Sequence, residues 1–203
     1  PVEGGEQLRV QAGWAWYGFV QAFATNGGVR RWSAFIDAGN AHLISWDALF
    51  AGEPDNVEAA AARLEELSHR FLAPPRAGQT RPALLTALRR FHEAGGPDAM
   101  ARTWMGHNQT RDLLNWLRTF PMIGQKYARN MCMDVSHPLI LDHIARDHRI
   151  HTICDLVEGA PPRTPYRLRE EWLRGVAAAL GINCWRLDRL MFGRYDEIRA
   201  ALS

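Results

Sequence analysis

Apolar residues recur at helical spacing along nearly the whole chain of 203 residues. Steps of three and four place one apolar stripe on each segment, as between Val57 and Phe71. No segment shows a convincing two-residue alternation, and no Asn-Gly turn lies between two strand-like segments. The spacing therefore predicts an all-α protein of about nine or ten helices, joined by short loops into compact bundles.

Polar, glycine and proline residues mark the expected ends of these helices. Asn56 is expected to begin one helix, and Pro74-Pro75 to end it. Gly181 is expected to close a later helix, because glycine readily adopts the left-handed conformation found there. Asn183 then begins the last pair of predicted helices.

The composition is typical of a soluble globular protein. Hydrophobic residues make up 47% of the chain and charged residues 23%. No apolar run reaches the length of about 18 residues that a membrane-spanning helix needs, so we expect no membrane partner. The net charge of +2 permits DNA binding without demonstrating it.

Cysteine usage excludes several kinds of site. Cys132, Cys154 and Cys184 are too few and too scattered for a disulfide framework. They also cannot ligate a four-cysteine iron–sulfur cluster. Because no basic, apolar leader is recognisable either, we expect a cytoplasmic protein, associated with the nucleoid if it is bacterial.

One lysine stands out among the basic residues. Lys126 is the only lysine among 24 lysine and arginine residues. Arginine stays protonated and cannot act as an amine nucleophile, whereas lysine can. A lone lysine is therefore either a remainder of compositional drift or a position at which arginine cannot perform the chemistry, and both interpretations stand at this point.

Residues 110–135 have the pattern of a helix, a tight turn and a second helix. The turn is Phe120-Pro121-Met122-Ile123-Gly124, and Gln125 and Lys126 follow it. We expect Gly124 to take a positive φ and to leave backbone N–H groups exposed at the start of the second helix. A helix N-terminus binds phosphate through such groups and through its dipole. A phosphate held there would lie beside Lys126.

Two motifs resemble a known family. Residues 120–128, Phe-Pro-Met-Ile-Gly-Gln-Lys-Tyr-Ala, resemble the hairpin of the helix-hairpin-helix (HhH-GPD) DNA glycosylase superfamily, roughly Leu-Pro-Gly-Ile-Gly-x-Lys-x-Ala. Residues 144–150 resemble the family's Ile-Ala-x-Asp-x-x-Ile segment, which places its invariant aspartate at Asp147. Met122 departs from the pattern, because the family has glycine there. The resemblance is taken to cover residues 14–203, with motif identity confined to residues 120–150.

The resemblance implies a base-excision-repair enzyme, a DNA glycosylase with AP lyase activity that acts on double-stranded DNA containing a damaged base. Lys126 would attack C1′ of a flipped nucleotide and form a Schiff base. Asp147 would stabilise positive charge on the sugar and help deprotonate the amine. Because the cluster cysteines of the endonuclease III branch are missing, the chain looks more like the cluster-free 8-oxoguanine glycosylases, and an oxidised purine is the expected substrate.

The resemblance also implies the domain architecture of the family. It implies two helical subdomains, residues 27–133 and residues 1–26 plus 134–203, with the active-site cleft between them. We expect a monomer without a metal centre or iron–sulfur cluster, in which the hairpin can hold at most a monovalent cation.

Further site residues follow from the same resemblance. Asn26 would wedge into the gap left by the flipped base, although a simple helix-ending turn explains its segment equally well. The other predicted DNA contacts are Met122, Gly124, Gln125, Arg129 and Arg149. The base pocket is predicted to include Asn130 and Trp185.

Three alternatives stay open at this point. A helix-hairpin-helix protein can bind DNA without cutting it, and such a protein would need neither Lys126 nor Asp147. A monofunctional glycosylase acting on another modified base is the second alternative. The third is a zinc site on one helix face, made by His143, Asp147, His151 and Cys154, although all four come from one segment and no ligand from a distant part of the chain joins them.

Overall fold

The all-α prediction is confirmed in a computed structural model, which describes residues 11–26, 28–145, 148–163 and 165–202 but not the side chains of Pro75, Arg76 and Tyr166. Within these ranges the chain forms twelve α-helices, two short 3-10 helices and no strand. The helices are more numerous than the nine or ten predicted, because several apolar segments are divided by short turns.

The chain divides after Gly124 into two compact units. The described residues up to Gly124 form the first unit, and those from Gln125 onwards form the second. The division lies inside segment 110–135, which the sequence predicts as one helix-hairpin-helix. The predicted subdomains, 27–133 and 1–26 plus 134–203, stay a prediction.

The first unit is built around buried aromatic rings. Its helices are α1 (Trp14–Ala24), α2 (Arg30–Asp37), α3 (Trp46–Phe50), α4 (Val57–Phe71), α5 (Pro74–Glu93), α6 (Pro97–Met105) and α7 (Thr110–Leu117), with a 3-10 helix at Asn40–Ile44. Phe19 of α1 is fully buried, and its ring centroid lies 5.1 Å from that of Phe91 and 5.6 Å from that of Trp104. Trp14 and Trp16 of α1 are also buried in this core.

The second unit has a separate aliphatic core. Its helices are α8 (Gln125–Asp134), α9 (His148–Leu156), α10 (Tyr166–Ala179), α11 (Cys184–Gly193) and α12 (Tyr195–Leu202), with a 3-10 helix at Pro138–Ile140. Ile144, Ile150, Leu173, Leu187 and Met191 are among the residues of this core. The second unit therefore carries both Lys126 and the residues that lead to Asp147.

Most of the predicted helix ends are confirmed. The side chains of Asn56 and Asn183 accept hydrogen bonds from backbone N–H groups three residues further on, as helix caps do. Gly181 has a φ of 66° just after α10. Pro74, however, begins α5 instead of only ending α4, because proline fits the first turn of a helix, where its missing N–H would have no intrahelical partner.

Candidate functional site

The turn before Lys126 has a left-handed backbone at Met122. Its φ is 63°, a conformation that costs a residue with a Cβ about 1–2 kcal/mol and that glycine adopts freely. The hairpin pattern that residues 120–128 resemble has glycine at this position, and glycine would take this φ without that cost. Gly124 was expected to take a positive φ, but its φ lies outside the left-handed region, so this prediction was wrong.

Arg90 of α5 holds the first residues of this turn. Its Nη1 donates to the carbonyl oxygen of Thr119 at 3.0 Å, and its Nη2 donates to the Thr119 hydroxyl at 2.9 Å. The guanidinium carbon lies 3.6 Å from the ring centroid of Phe120. That ring packs against Phe19, 4.4 Å away between centroids. The core of the first unit therefore fixes the chain just before Pro121.

Replacing Met122 by glycine is expected to raise the free energy of unfolding by about 0.5–1 kcal/mol. The gain comes from relieving the left-handed backbone, and it is reduced by the larger entropy of glycine in the unfolded chain. Urea unfolding followed by tryptophan fluorescence measures it. The control is Met122→Leu, which keeps the Cβ and should give no gain. A loss of stability in Met122→Gly would mean that the methionine side chain stabilises the turn more than its backbone destabilises it.

Lys126 lies in the first turn of α8, with its side chain exposed. Its Nζ is 6.0 Å from the ring centroid of Tyr127. Gln125, also predicted to contact DNA, is exposed as well. The opposite face of α8 is buried and includes Ala128, Met131 and Cys132. The amine of Lys126 is therefore open to a ligand that approaches the start of this helix.

Arg129 is buried and belongs to an ionic network. It is only 6% exposed, and its Nη2 lies 3.7 Å from Oε2 of Glu170 on α10. His143 Nδ1 donates to the other oxygen of Glu170 at 3.0 Å. Burial raises the pKa of Glu170, but the His143 hydrogen bond and the Arg129 charge outweigh it, so that the pKa is lowered overall. Arg129, predicted as a DNA contact, is therefore not exposed for contact with a phosphate.

A second buried carboxylate holds the chain close to Asp147. Asp188 of α11 is 1% exposed, and its Oδ1 accepts a hydrogen bond from the backbone N–H of Ala145 at 3.1 Å. Its Oδ2 accepts from Nη2 of Arg189 at 2.8 Å, and Arg189 also donates to Asp134 at 3.2 Å. Asp147 itself lies outside the described residues. The structure therefore describes the chain up to Ala145, two residues before Asp147.

The remaining predicted residues are not equally accessible. Trp185 is buried, and its indole N–H donates to the carbonyl oxygen of Met133 at 2.7 Å. Asn26 is buried in the turn after α1, whereas a wedge residue has to project from the surface. Asn130 is partly exposed. Arg149 is exposed, with its guanidinium carbon 4.6 Å from the ring centroid of Phe192. Of these four, Arg149 is the most accessible to a DNA strand.

The proposed zinc arrangement does not share one helix face. Helix α9 begins at His148, so His143 precedes it and is bonded to Glu170. His151 lies on α9, and its Nδ1 is 3.1 Å from Nη1 of Arg169. Among the residues described, no group of three or more histidine, cysteine, aspartate or glutamate side chains is placed to hold a metal ion.

Sequence reasoning missed Arg90, Glu170 and Asp188. Each is a charged residue on a helix, and its spacing gives no signal of a distant partner. Their contacts join residues that are 29, 27 and 43 positions apart in the chain. Only the packed structure brings these groups together.

Comparisons with protein families, with curated proteins and with solved structures find no match to this chain. Within the described ranges, none of the helices combines the length and the apolar character needed to cross a membrane.

Proposed function

We propose that this protein is a DNA glycosylase with AP lyase activity, which removes a damaged base from double-stranded DNA. The observation that carries the proposal is the position of Lys126. The only lysine of the chain is exposed in the first turn of α8, directly after a turn that takes a left-handed φ of 63° where the family has glycine. The sequence resemblance around residues 120–128 and 144–150 supports the same assignment.

In this proposal, the reaction uses the amine of Lys126 as its nucleophile. The target nucleotide is rotated out of the base stack, which makes C1′ accessible. The amine nitrogen forms a bond to C1′ while the N-glycosidic bond breaks, and the base leaves with the bonding electrons and takes up a proton. The carboxylate of Asp147 stabilises the positive charge that develops on the sugar. Opening of the sugar ring gives a Schiff base, and β-elimination then breaks the C3′–O bond and nicks the strand.

DNA would be held by its backbone phosphates near the turn. The first N–H groups of α8 have no intrahelical acceptor, so that a phosphate can bind beside Gly124 and Gln125. A Cβ added at Gly124 would meet no atom within 4 Å, so this glycine leaves free space for a close approach of the strand. Binding should weaken as the salt concentration rises, because it depends on neutralising phosphates.

Borohydride trapping tests the proposed function. We expect the protein to form a covalent complex with duplexes that carry an abasic site or a damaged base when borohydride is present, because borohydride reduces the Schiff base to a stable amine. An 8-oxoguanine duplex should give the strongest band among a panel that also includes oxidised pyrimidines, alkylated bases and mismatches. The complex is seen on a denaturing gel.

The same panel separates the alternatives. If alkaline cleavage shows that a base is released but no band is trapped, the protein is a monofunctional glycosylase and has no lyase activity. Tight, salt-dependent binding with neither base release nor a trapped band would indicate a DNA-binding protein without catalysis. Either result would overturn the Schiff-base chemistry proposed for Lys126.

A further inference from the structure

Two buried carboxylates hold three consecutive residues of the segment that leads to Asp147. Glu170 accepts a hydrogen bond from the ring of His143 at 3.0 Å and another from the backbone of Ile144. Asp188 accepts one from the backbone N–H of Ala145 at 3.1 Å. Because both carboxylates are almost fully buried, water competes little for these hydrogen bonds. The bonds therefore hold the backbone of residues 143–145 in place.

Glu170 also contacts the helix that carries Lys126. Its Oε2 lies 3.7 Å from Nη2 of Arg129, and Arg129 is three positions after Lys126 on α8. Residues three apart on a helix are close neighbours on its surface. A single carboxylate on α10 therefore touches both the helix of the predicted nucleophile and the segment that leads to the predicted catalytic carboxylate.

The charges in this network are balanced against each other. Arg129 is buried, so its positive charge needs a partner inside the protein, and Glu170 supplies the negative charge. The opposite charges interact strongly because little solvent screens them. Removing the charge of Glu170 would take away its ion pair with Arg129 and its hold on segment 143–145, so that α8 and this segment would loosen together.

We propose that Glu170 is a positioning residue, which keeps the helix of Lys126 and the segment that leads to Asp147 in a fixed mutual arrangement. It acts through Arg129 on one side and through residues 143–145 on the other. The catalytic part of this inference rests on the proposed function, because a nucleophile and a carboxylate need a defined separation only if they act on one sugar.

The test compares Glu170→Gln with Glu171→Gln. Glu171 is the next residue on α10 and also pairs with an arginine, Arg167, at 3.5 Å, but its side chain is 50% exposed. For Glu170→Gln we expect faster hydrogen exchange at the amides of α8 and of residues 144 and 145. We also expect a fall of about 10- to 100-fold in the single-turnover rate of borohydride cross-linking, with DNA affinity changed less than about threefold. Glu171→Gln should change none of these three measurements, because both side chains of its ion pair are exposed.

A second variant distinguishes positioning from simple stability. Replacing both Arg129 and Glu170 by methionine removes the two buried charges together, so the thermal midpoint should recover relative to Glu170→Gln. The cross-linking rate should stay low, because the link to residues 143 and 144 is still missing. Recovery of the rate together with the midpoint would overturn the proposal, and so would hydrogen exchange that is unchanged in Glu170→Gln.

Failure of the proposed function gives a different result. If the unaltered protein forms no cross-link with any duplex, the lyase assignment fails. Hydrogen exchange in Glu170→Gln still decides whether this carboxylate couples α8 to residues 143–145. Faster hydrogen exchange in α8 alone, or in residues 144 and 145 alone, would contradict the proposal that Glu170 couples the two.

Discussion

Lys126→Arg is expected to lower the rate of borohydride cross-linking to abasic DNA by at least about 100-fold, the scale on which the loss of a nucleophile acts. Arginine keeps the positive charge but has no neutral amine to attack C1′. DNA affinity should therefore change less than about threefold, because the charge facing the phosphates is retained. Gel-based trapping and fluorescence anisotropy measure the two quantities on the same duplex.

Lys126→Gln completes this comparison. It removes both the amine and the charge, so it should abolish cross-linking as Lys126→Arg does and also weaken binding. A band that persists in both variants would come from another amine of the protein and would contradict the role of Lys126. Equal loss of binding and cross-linking in Lys126→Arg would mean that this lysine contacts DNA without reacting.

Phe19→Ala is expected to lower the free energy of unfolding by about 4 kcal/mol, as large-to-small changes at fully buried aromatic positions do. The ring of Phe19 contacts those of Phe91, Trp104 and Phe120, and no part of it is exposed. Its loss would leave a cavity at the centre of the first unit. Guanidinium unfolding followed by circular dichroism and tryptophan fluorescence measures the change.

Phe192→Ala is the matched control, because Phe192 is 42% exposed and the same number of atoms is removed. Its effect on stability should be within about 0.5 kcal/mol. A small effect of Phe19→Ala would show that the aromatic core of the first unit repacks around the missing ring. The turn at residues 120–124 should loosen in Phe19→Ala, since Phe120 would lose its closest ring contact.

The sequence predicts those parts of this fold that depend on neighbouring residues. Apolar spacing is repeated within each helix, and caps such as Asn56 and Asn183 act on N–H groups three residues away, so both leave a local signal. The turn before Lys126 also lies within one short motif, but the motif assigned the positive φ to Gly124, whereas Met122 has it. Pro74 follows the end of α4 as predicted, and its second role at the start of α5 went unpredicted, because proline both follows helices and begins them.

The supporting contacts of the candidate site leave no such signal. The bonds from Glu170 to His143, from Asp188 to Ala145 and from Arg90 to Thr119 join distant positions. A glutamate on a helix usually faces solvent, and nothing in its neighbours distinguishes one that is buried. The burial of Asn26 and Arg129 likewise depends on the packing of other helices, which a single sequence does not reveal.

The lone lysine also makes the chain unusually simple to dissect. A protease that cuts only after lysine has a single target in the whole sequence, the bond between Lys126 and Tyr127. That bond lies two residues beyond the division after Gly124, in the first turn of α8, where helices fray most readily. One nick would thus yield two fragments that correspond almost completely to the two units.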